Sequence, residues 1–363
     1  MANTASALSA KGFLIIEDGP SFEGVWRGGT PQAGEVVFNT SHSGYEEMAT
    51  DPSYFSQIIV NTAPQQGNYS VDRNFWESER IWIRGFVCLE IQNSARDSHW
   101  LSRLSEAHVP VLTDIDTRTL VLYLRSQGTK WGAVVRAESE PEARLQAGEL
   151  MAKAKVMAPD WTLHVCRRFA EDIVGQNPRG PRVAVLDFGV KENILRELKL
   201  RVRELRVFPS NASANDIKAY KPDGILLSNG PGDPVEVKDG LRTVKELLGF
   251  RYIFGICMGH QILSLALGAR TYKLKFGHRG SNHPIRDELL KKVYVTSQNH
   301  GYNVDQQSLP PGVEVTHINL NDKTVAGIAH ADLKCMSVQF HPESHPGPHD
   351  SVGLFDYFIK QIT

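Results

Sequence analysis

The stretch YIFGICMGHQILSLALG, residues 252–268, decides the fold. Tyr252 to Ile256 reads as a short buried strand, and HQILSLAL has the apolar spacing of a helix. Between them, a sharp turn carries one cysteine. Gly255 and Gly259 flank Cys257 two positions away on either side, the G-x-nucleophile-x-G elbow with cysteine where hydrolases have serine. Such a turn lifts a nucleophile clear of the sheet and sets it beside the first free N–H groups of the helix. Those groups and the helix dipole favour a thiolate over a thiol. The paired glycines suit a strained turn in which a bulky side chain would crowd a substrate. The alternative is a buried free cysteine, a common state of this residue. The strand-turn-helix context favours chemistry.

Working outward, VAVLDFG, LRVFPS, DGILLSNG and YIFGI are near-continuous apolar strands from Arg182 onward. KENILRELKL, NDIKAY and GLRTVKELLGF fall between them with helical patterns. Strands without alternation, separated by helices, predict a mainly parallel sheet covered by helices on both faces. KVYVTSQNHGYNV, VEVTHIN, AGIAHADLKCMSVQFHPE and a closing helix, SVGLFDYFIKQI, complete this region. Ligands on such sheets bind at the carboxyl ends of the strands. Cys257, the loop SNGPGDP (228–234) and the loop QFHPES (339–344) all fall at such ends.

The first part of the chain differs. FLIIEDG, FEGVWRGG, AGEVVFNT and SQIIVNT are short apolar runs broken by turn residues, which predicts strands joined by tight turns. IWIRGFVCLEI reads as a strand pair or one bent strand. SHWLSRLSEAHV, TRTLVLYLRSQG and PEARLQAGELMAKAKVM read as helices, the second ending at a glycine cap, Gly128. The α/β reading therefore has three parts: an N-terminal mixed α/β domain over 1–155, a linker over 156–181, and the parallel-sheet domain over 182–363. The linker expectation rests on the Pro and Gly punctuation of RRFAEDIVGQNPRGPR.

Composition excludes several classes. With 363 residues, 41% hydrophobic and 22% charged, the chain has apolar material for two ordinary cores. A formal net charge of −1 provides no global field for nucleic acid or an anionic membrane. Four scattered cysteines (Cys88, Cys166, Cys257, Cys335) form no CxxC pair, which suggests reduced thiols and a cytoplasmic setting. MANTASALSAKGF lacks a basic region ahead of an apolar core, so no signal peptide is expected. No apolar run approaches a membrane span in length.

A thiolate nucleophile needs a base, and the base needs a residue to orient it. FHPE supplies both: His341, and Glu343 two residues on, which points the same way if the segment stays extended. A carboxylate beside an imidazole fixes its tautomer and stabilises its charged form. An ordinary turn is the alternative for this tetrapeptide. In SNGPGDP, glycines let backbone N–H groups point at a developing oxyanion. Gly230, Gly232 and the amide of Met258 are the candidates. The loop lacks the Lys and Ser/Thr of a phosphate-binding P-loop, and a plain turn is its remaining alternative. FGHRGSNHP (276–284) and QNHGYN (298–303) are expected to be polar loops, with Asn299, Gly301 and Tyr302 able to meet a polar substrate. His260 is expected to pack in its helix. His278, His283 and His300 lack regular ligand spacing, so no metal is expected.

GICMGHQ, SNGPGDP and FHPE together resemble the class I (triad) glutamine amidotransferases. GEVVFNTSHSGYEEMATDPSYFSQIIVNTAPQQGNY (34–69) and DIDTRTLVLYLRSQG (114–128) resemble the N-terminal domain of the small, glutamine-hydrolysing chains of carbamoyl phosphate synthetases. LDFGVKENILREL, KFGHRGSNHP, QNHGYNVD and HPESHPGPHDSVGLFDYFI resemble the C-terminal half of the same chains, so the likeness covers nearly the whole sequence. Met258, Ser281 and Tyr302 depart from the residues usual there.

The resemblance implies catalysis by Cys257, His341 and Glu343. It implies glutamine binding by Ser53, Gly230, Gly232, Met258, Gln261, Asn299, Gly301 and Tyr302. It also implies no cofactor in this chain, with ATP and Mg used by a large-subunit partner. Ammonia would be channelled to that partner, which makes carbamoyl phosphate from bicarbonate for pyrimidine or arginine biosynthesis. Two alternatives stand beside it: the glutaminase subunit of another amidotransferase, and a non-catalytic interaction protein with this fold.

Overall fold

The computed structural model describes residues 10–69, 71–92, 99–157 and 159–363. The chain divides into two compact units: Met1–Thr50 with Tyr54–Met157, and Asp51–Ser53 with Ala158–Thr363.

In the first unit seven strands close into a barrel. Their order is Lys11–Ile16, Ser21–Gly28, Val111–Thr113, Gly85–Val87, Gln57–Asn61, Gln32–Asn39 and Lys130–Arg136, the last pairing back with the first. Closure removes the unpaired backbone edges that an open sheet would expose. The helix Glu140–Ala154 covers one side through Ala143, Ala147 and Met151, which pack on Phe13, Ile15, Ala133 and Val135. The small alanines lie four residues apart and let the helix approach closely. The helix expected from TRTLVLYLRSQG spans Thr117–Gln127. Asp116 caps it by accepting from the Thr119 amide, and Gly128 ends it at φ 90°. IWIRGFVCLEI yields only two short strands, Gly85–Val87 and Glu90–Ile91.

The second unit is built on a ten-stranded sheet. Five strands, Glu204–Pro209, Arg182–Asp187, Gly224–Leu227, Tyr252–Ile256 and Cys335–Val338, run parallel in that order at its centre. Alternate residues of each strand enter opposite cores. Val183 and Val185 join Ile194, Leu195, Leu198, Leu354 and Phe355 on one face. Ala184 and Leu186 join Ile217, Val244, Leu247, Ile262 and Leu263 on the other. Both faces are thus covered by helices, which is why these strands carry no polar alternation. Each Val, Leu or Ile fully buried in this way contributes about 1.5–3 kcal/mol.

The structure departs from the sequence expectations at two places. Part of the expected linker forms a strand, Glu171–Val174, which pairs antiparallel with Glu204–Pro209 at the sheet edge. Its Pro and Gly punctuation flanks this short edge element. The two expected polar loops are strands instead. Thr271–Asp287 and Lys292–Val304 form a long antiparallel pair, with register shifts between Lys273 and His278 and between Gly280 and His283. Glycines and polar residues at such bulges imitate loop composition. Among the described residues no helix is long and apolar enough to cross a membrane.

Candidate active site

The strand Tyr252–Ile256 lies between Gly224–Leu227 and Cys335–Val338, and all three run in the same direction. Their carboxyl ends therefore open on one edge of the sheet. Cys257 follows the middle strand at φ 53°, ψ −102°, a conformation that costs a non-glycine residue about 1–3 kcal/mol. Hydrogen bonds over-determine it: the Cys257 amide donates to Val338 O at 2.9 Å, and the Gly259 amide donates to Ser228 O at 2.9 Å. The strain thus sits on the elbow cysteine itself. The flanking glycines serve close approach. A Cβ on Gly259 would lie 2.2 Å from Leu227 O, and one on Gly255 would lie 2.7 Å from Gly259 O.

His341 and Glu343 follow the neighbouring strand Cys335–Val338. The His341 amide donates to Ser297 O at 3.0 Å. Its Nδ1 pairs with Glu343 Oε1 at 2.7 Å, and both side chains are buried. Burial opposes a charged imidazole, yet the Glu343 carboxylate and then the Cys257 sulfur overcome it and raise His341 to about 10. Burial likewise opposes the Glu343 charge. Lys191 and then His341 reverse that and hold Glu343 down at about 2. With Nδ1 committed to Glu343, the other ring nitrogen, Nε2, is buried and left for the Cys257 sulfur. The Cys257 thiol donates to Asn299 O at 3.6 Å. The imidazole thus interacts with the Cys257 sulfur, which helps hold its proton.

Other residues named from sequence converge here. Gly230 and Gly232 lie in the loop after Gly224–Leu227. A Cβ on Gly230 would meet Phe188 O at 2.3 Å, and Gly232 has φ +93° beside Trp161. Met258 opens the helix Met258–Leu267, so its amide has no earlier turn to bond with. Gln261 Nε2 donates to Tyr302 O at 2.9 Å and to Gln339 Oε1 at 3.1 Å. Asn299, Gly301 and Tyr302 all lie on the strand Lys292–Val304. Ser53 Oγ accepts from Asn229 Nδ2 at 2.8 Å.

Four residues escaped the sequence reading. Lys191 is buried, with Nζ 3.1 Å from Glu343 Oε1, and it also donates to Ser344 O. Asn193 Nδ2 donates to Glu343 O at 2.5 Å. Asn229 Oδ1 accepts from the Lys191 amide at 3.0 Å, and Asp51 accepts from Asn299 Nδ2 at 3.1 Å. From its spacing, KEN reads as the start of a helix. The charged lysine just before an apolar helix was the available signal, since buried lysines are almost always paired.

His260 is fully buried with Nδ1 2.8 Å from Ser337 Oγ. Burial, followed by the nearby His317, pushes it down to about 3. It is a neutral packing residue. His278 pairs with Asp322 at 2.7 Å and stacks edge-on to His300. Among the described residues no group of three His, Cys, Asp or Glu side chains could hold a metal ion.

Two family descriptions match the chain: "Glutamine amidotransferase class-I" over residues 184–361, and "Carbamoyl-phosphate synthase small chain, CPSase domain" over residues 14–134. The carbamoyl phosphate synthase small chain of Symbiobacterium thermophilum is 45% identical over 96% of this chain and 97% of its own length. The chain belongs to the carbamoyl phosphate synthase small chain family. Small chains from Bacillus caldolyticus and Methanocaldococcus jannaschii are 43% and 44% identical, each again over 96% of this chain. Within this small chain the class I amidotransferase match contains the elbow, the His341–Glu343 pair and the buried lysine that supports it. Apart from Asp51–Ser53, the small-chain match lies within the barrel unit.

Proposed function

We propose that this small chain hydrolyses L-glutamine to glutamate and ammonia through a thioester on Cys257. The observation that carries this reading is the buried relay Lys191–Glu343–His341, whose imidazole interacts with the sulfur of the elbow cysteine.

Proton transfer from Cys257 to His341 Nε2 generates thiolate and imidazolium. The sulfur attacks the γ-amide carbon, and the amides of Gly232 and Met258 hold the oxyanion. Collapse breaks the C–N bond while His341 returns its proton to the leaving ammonia. His341 then takes a proton from water, which attacks the thioester. Glutamate leaves and the thiol is restored. Glu343 keeps the imidazole in the tautomer this sequence requires. Ser53, Gly230, Gln261, Asn299, Gly301 and Tyr302 bind the rest of the amino acid.

The ammonia passes to a large-subunit partner, which uses ATP, Mg and bicarbonate to make carbamoyl phosphate for arginine or pyrimidine biosynthesis. This chain needs no cofactor of its own and acts in the cytoplasm. Hydrolysis uncoupled from the partner would waste glutamine, so activity is low until the partner binds and shifts the site.

The test is Cys257→Ser in the complex. Glutamine-driven synthesis should vanish while synthesis from free ammonia continues. Glutamine use that survives the change refutes the nucleophile assignment. Failure of a thiol-alkylating glutamine analogue to label Cys257, even with the partner bound, would favour a non-catalytic interaction protein. Co-purification with a different synthetase would favour the glutaminase subunit of another amidotransferase.

A further inference from the structure

Three strands of the barrel unit, Gln32–Asn39, Gln57–Asn61 and Gly85–Val87, run parallel, so their amino ends meet at one rim. Two cavities of about 500 Å³ each lie at that rim, and Gln32 and Arg84 line both of them. One is largely apolar, with Ala33, Leu150 and Met157 in its walls beside Ser56 and Lys153. The other adds Arg80 and His108. Among the described residues no Asp or Glu lines either cavity. The glutaminase chemistry uses none of these side chains.

Arg84 is the shared wall. It directly precedes the strand Gly85–Val87 and is half-buried. Nη1 donates to Gln32 Oε1 at 2.9 Å, and Gln32 Nε2 donates onward to His108 O at 2.7 Å, which fixes the guanidinium at the rim. The Phe55 ring lies 5.9 Å from it. Among the described residues its side chain meets no other acceptor and no carboxylate. Burial lowers Arg84 below the usual guanidinium range, and nothing raises it back. Arg167 and Arg201 differ: burial opposes their charge too, but Asp187 and Asp356 more than restore it. A cation partly removed from water without an anion costs free energy, so this arrangement lacks a counter-charge within the chain.

The chemistry of that counter-charge follows from the walls. A guanidinium presents a planar fork that matches a carboxylate or phosphate. Arg80, His108 and Lys153 surround it with no carboxylate to cancel them, which favours a dianion over a single carboxylate. The apolar cavity beside it has the volume of an ordinary small-molecule site, about 300–1,000 Å³. We propose that this rim binds a small organic phosphate ester, its phosphate held by Arg84 and Lys153 and its apolar body packed on Ala33, Leu150 and Met157. Every wall residue belongs to the barrel unit, so the site stands independently of the glutaminase reading.

Calorimetric titration of the full chain with phenyl phosphate tests this, with inorganic phosphate and phenol as the head and the body alone. Phenyl phosphate should bind one site per chain with a Kd on the order of 1 mM or below. It should bind at least about tenfold more tightly than either half, because only the ester uses both the cations and the apolar wall. Arg84→Gln should weaken it by about tenfold or more. Lys153→Glu should do the same, and because Lys153 is exposed, that variant does not put the fold at risk.

Phenyl phosphate that binds no more tightly than inorganic phosphate would reduce the rim to a cluster of surface cations and overturn the proposal. Equal affinity for wild type and both variants would overturn it as well. So would a wild-type chain that takes up no phenyl phosphate at about 10 mM, a result that needs no variant.

Discussion

Replacing Lys191 by Met should loosen the amidotransferase unit and slow the reaction together. The lysine is buried with its Nζ 3.1 Å from Glu343 Oε1, and neither side chain has appreciable exposure. At that separation and an effective dielectric of about 20, the attraction is about 5 kcal/mol. Methionine keeps the stem volume and relieves the desolvation of the ammonium, which returns part of that energy. The net loss should be about 3 kcal/mol, the low end for a buried pair broken on one side.

Glu343 would then gain a proton at higher pH and orient His341 less firmly, so kcat on glutamine should fall by about 10- to 100-fold. Hydrogen exchange across residues 252–268 and 335–343, together with urea unfolding, measures the first effect, and steady-state glutaminase kinetics with the large subunit measures the second. The double variant Lys191→Met/Glu343→Gln should be more stable than Lys191→Met alone, because it removes the stranded charge. Strictly additive losses, or a Lys191→Met chain within about 0.5 kcal/mol of wild type, would refute the pairing argument.

Backbone approach at the elbow predicts that Gly259→Ala destabilises by about 3 kcal/mol or prevents folding, since its Cβ would meet Leu227 O at 2.2 Å. Gly148→Ala is the contrasting case. It lies inside the helix Glu140–Ala154 with no neighbour within 4 Å, and should raise stability by about 0.5–1 kcal/mol in thermal melts. The His341–Glu343 pair also sets the pH limits of stability. His341 is raised to about 10, so its contribution is whole below its ordinary value near 6.5 and is lost as pH rises through 10. Glu343 is held at about 2, so its contribution is present above its ordinary value near 4.5 and fades as pH falls toward 2. Melts of wild type against Glu343→Gln from pH 3 to 10 should therefore differ most between about pH 4.5 and 6.5, where both contributions are whole. His260 adds an acid sensitivity of its own. Held neutral down to about 3, it should cost stability as pH drops below 6.5, and His260→Gln should flatten that limb of the melting curve.

Much of the site was legible because its chemistry is local in sequence. The elbow needs glycines two residues from the nucleophile, and a base with its orienting carboxylate fits in four residues, so GICMG and FHPE declare themselves. The parallel core was legible for a related reason: strands buried on both faces lose their polar alternation, and the intervening helices keep theirs. The bulged pair Thr271–Asp287 and Lys292–Val304 misled because Gly, Asn and His at bulges look like a loop until the partner strand supplies the hydrogen bonds.

Sequence by itself marked Cys257 as the candidate nucleophile, His341 as its candidate base, the glycine loop, and the contrast between the mixed N-terminal part and the parallel-sheet part, since each follows from composition or short-range spacing. Tertiary structure alone decided the rest. It set the strain on Cys257 rather than on its glycines, brought Lys191 from the opening of a distant helix to Glu343, and seated Asp51 beside Asn299. Those partners lie 152 and 248 residues apart, beyond any local pattern. A buried charge reveals its purpose only when the group that balances it, or fails to, can be seen.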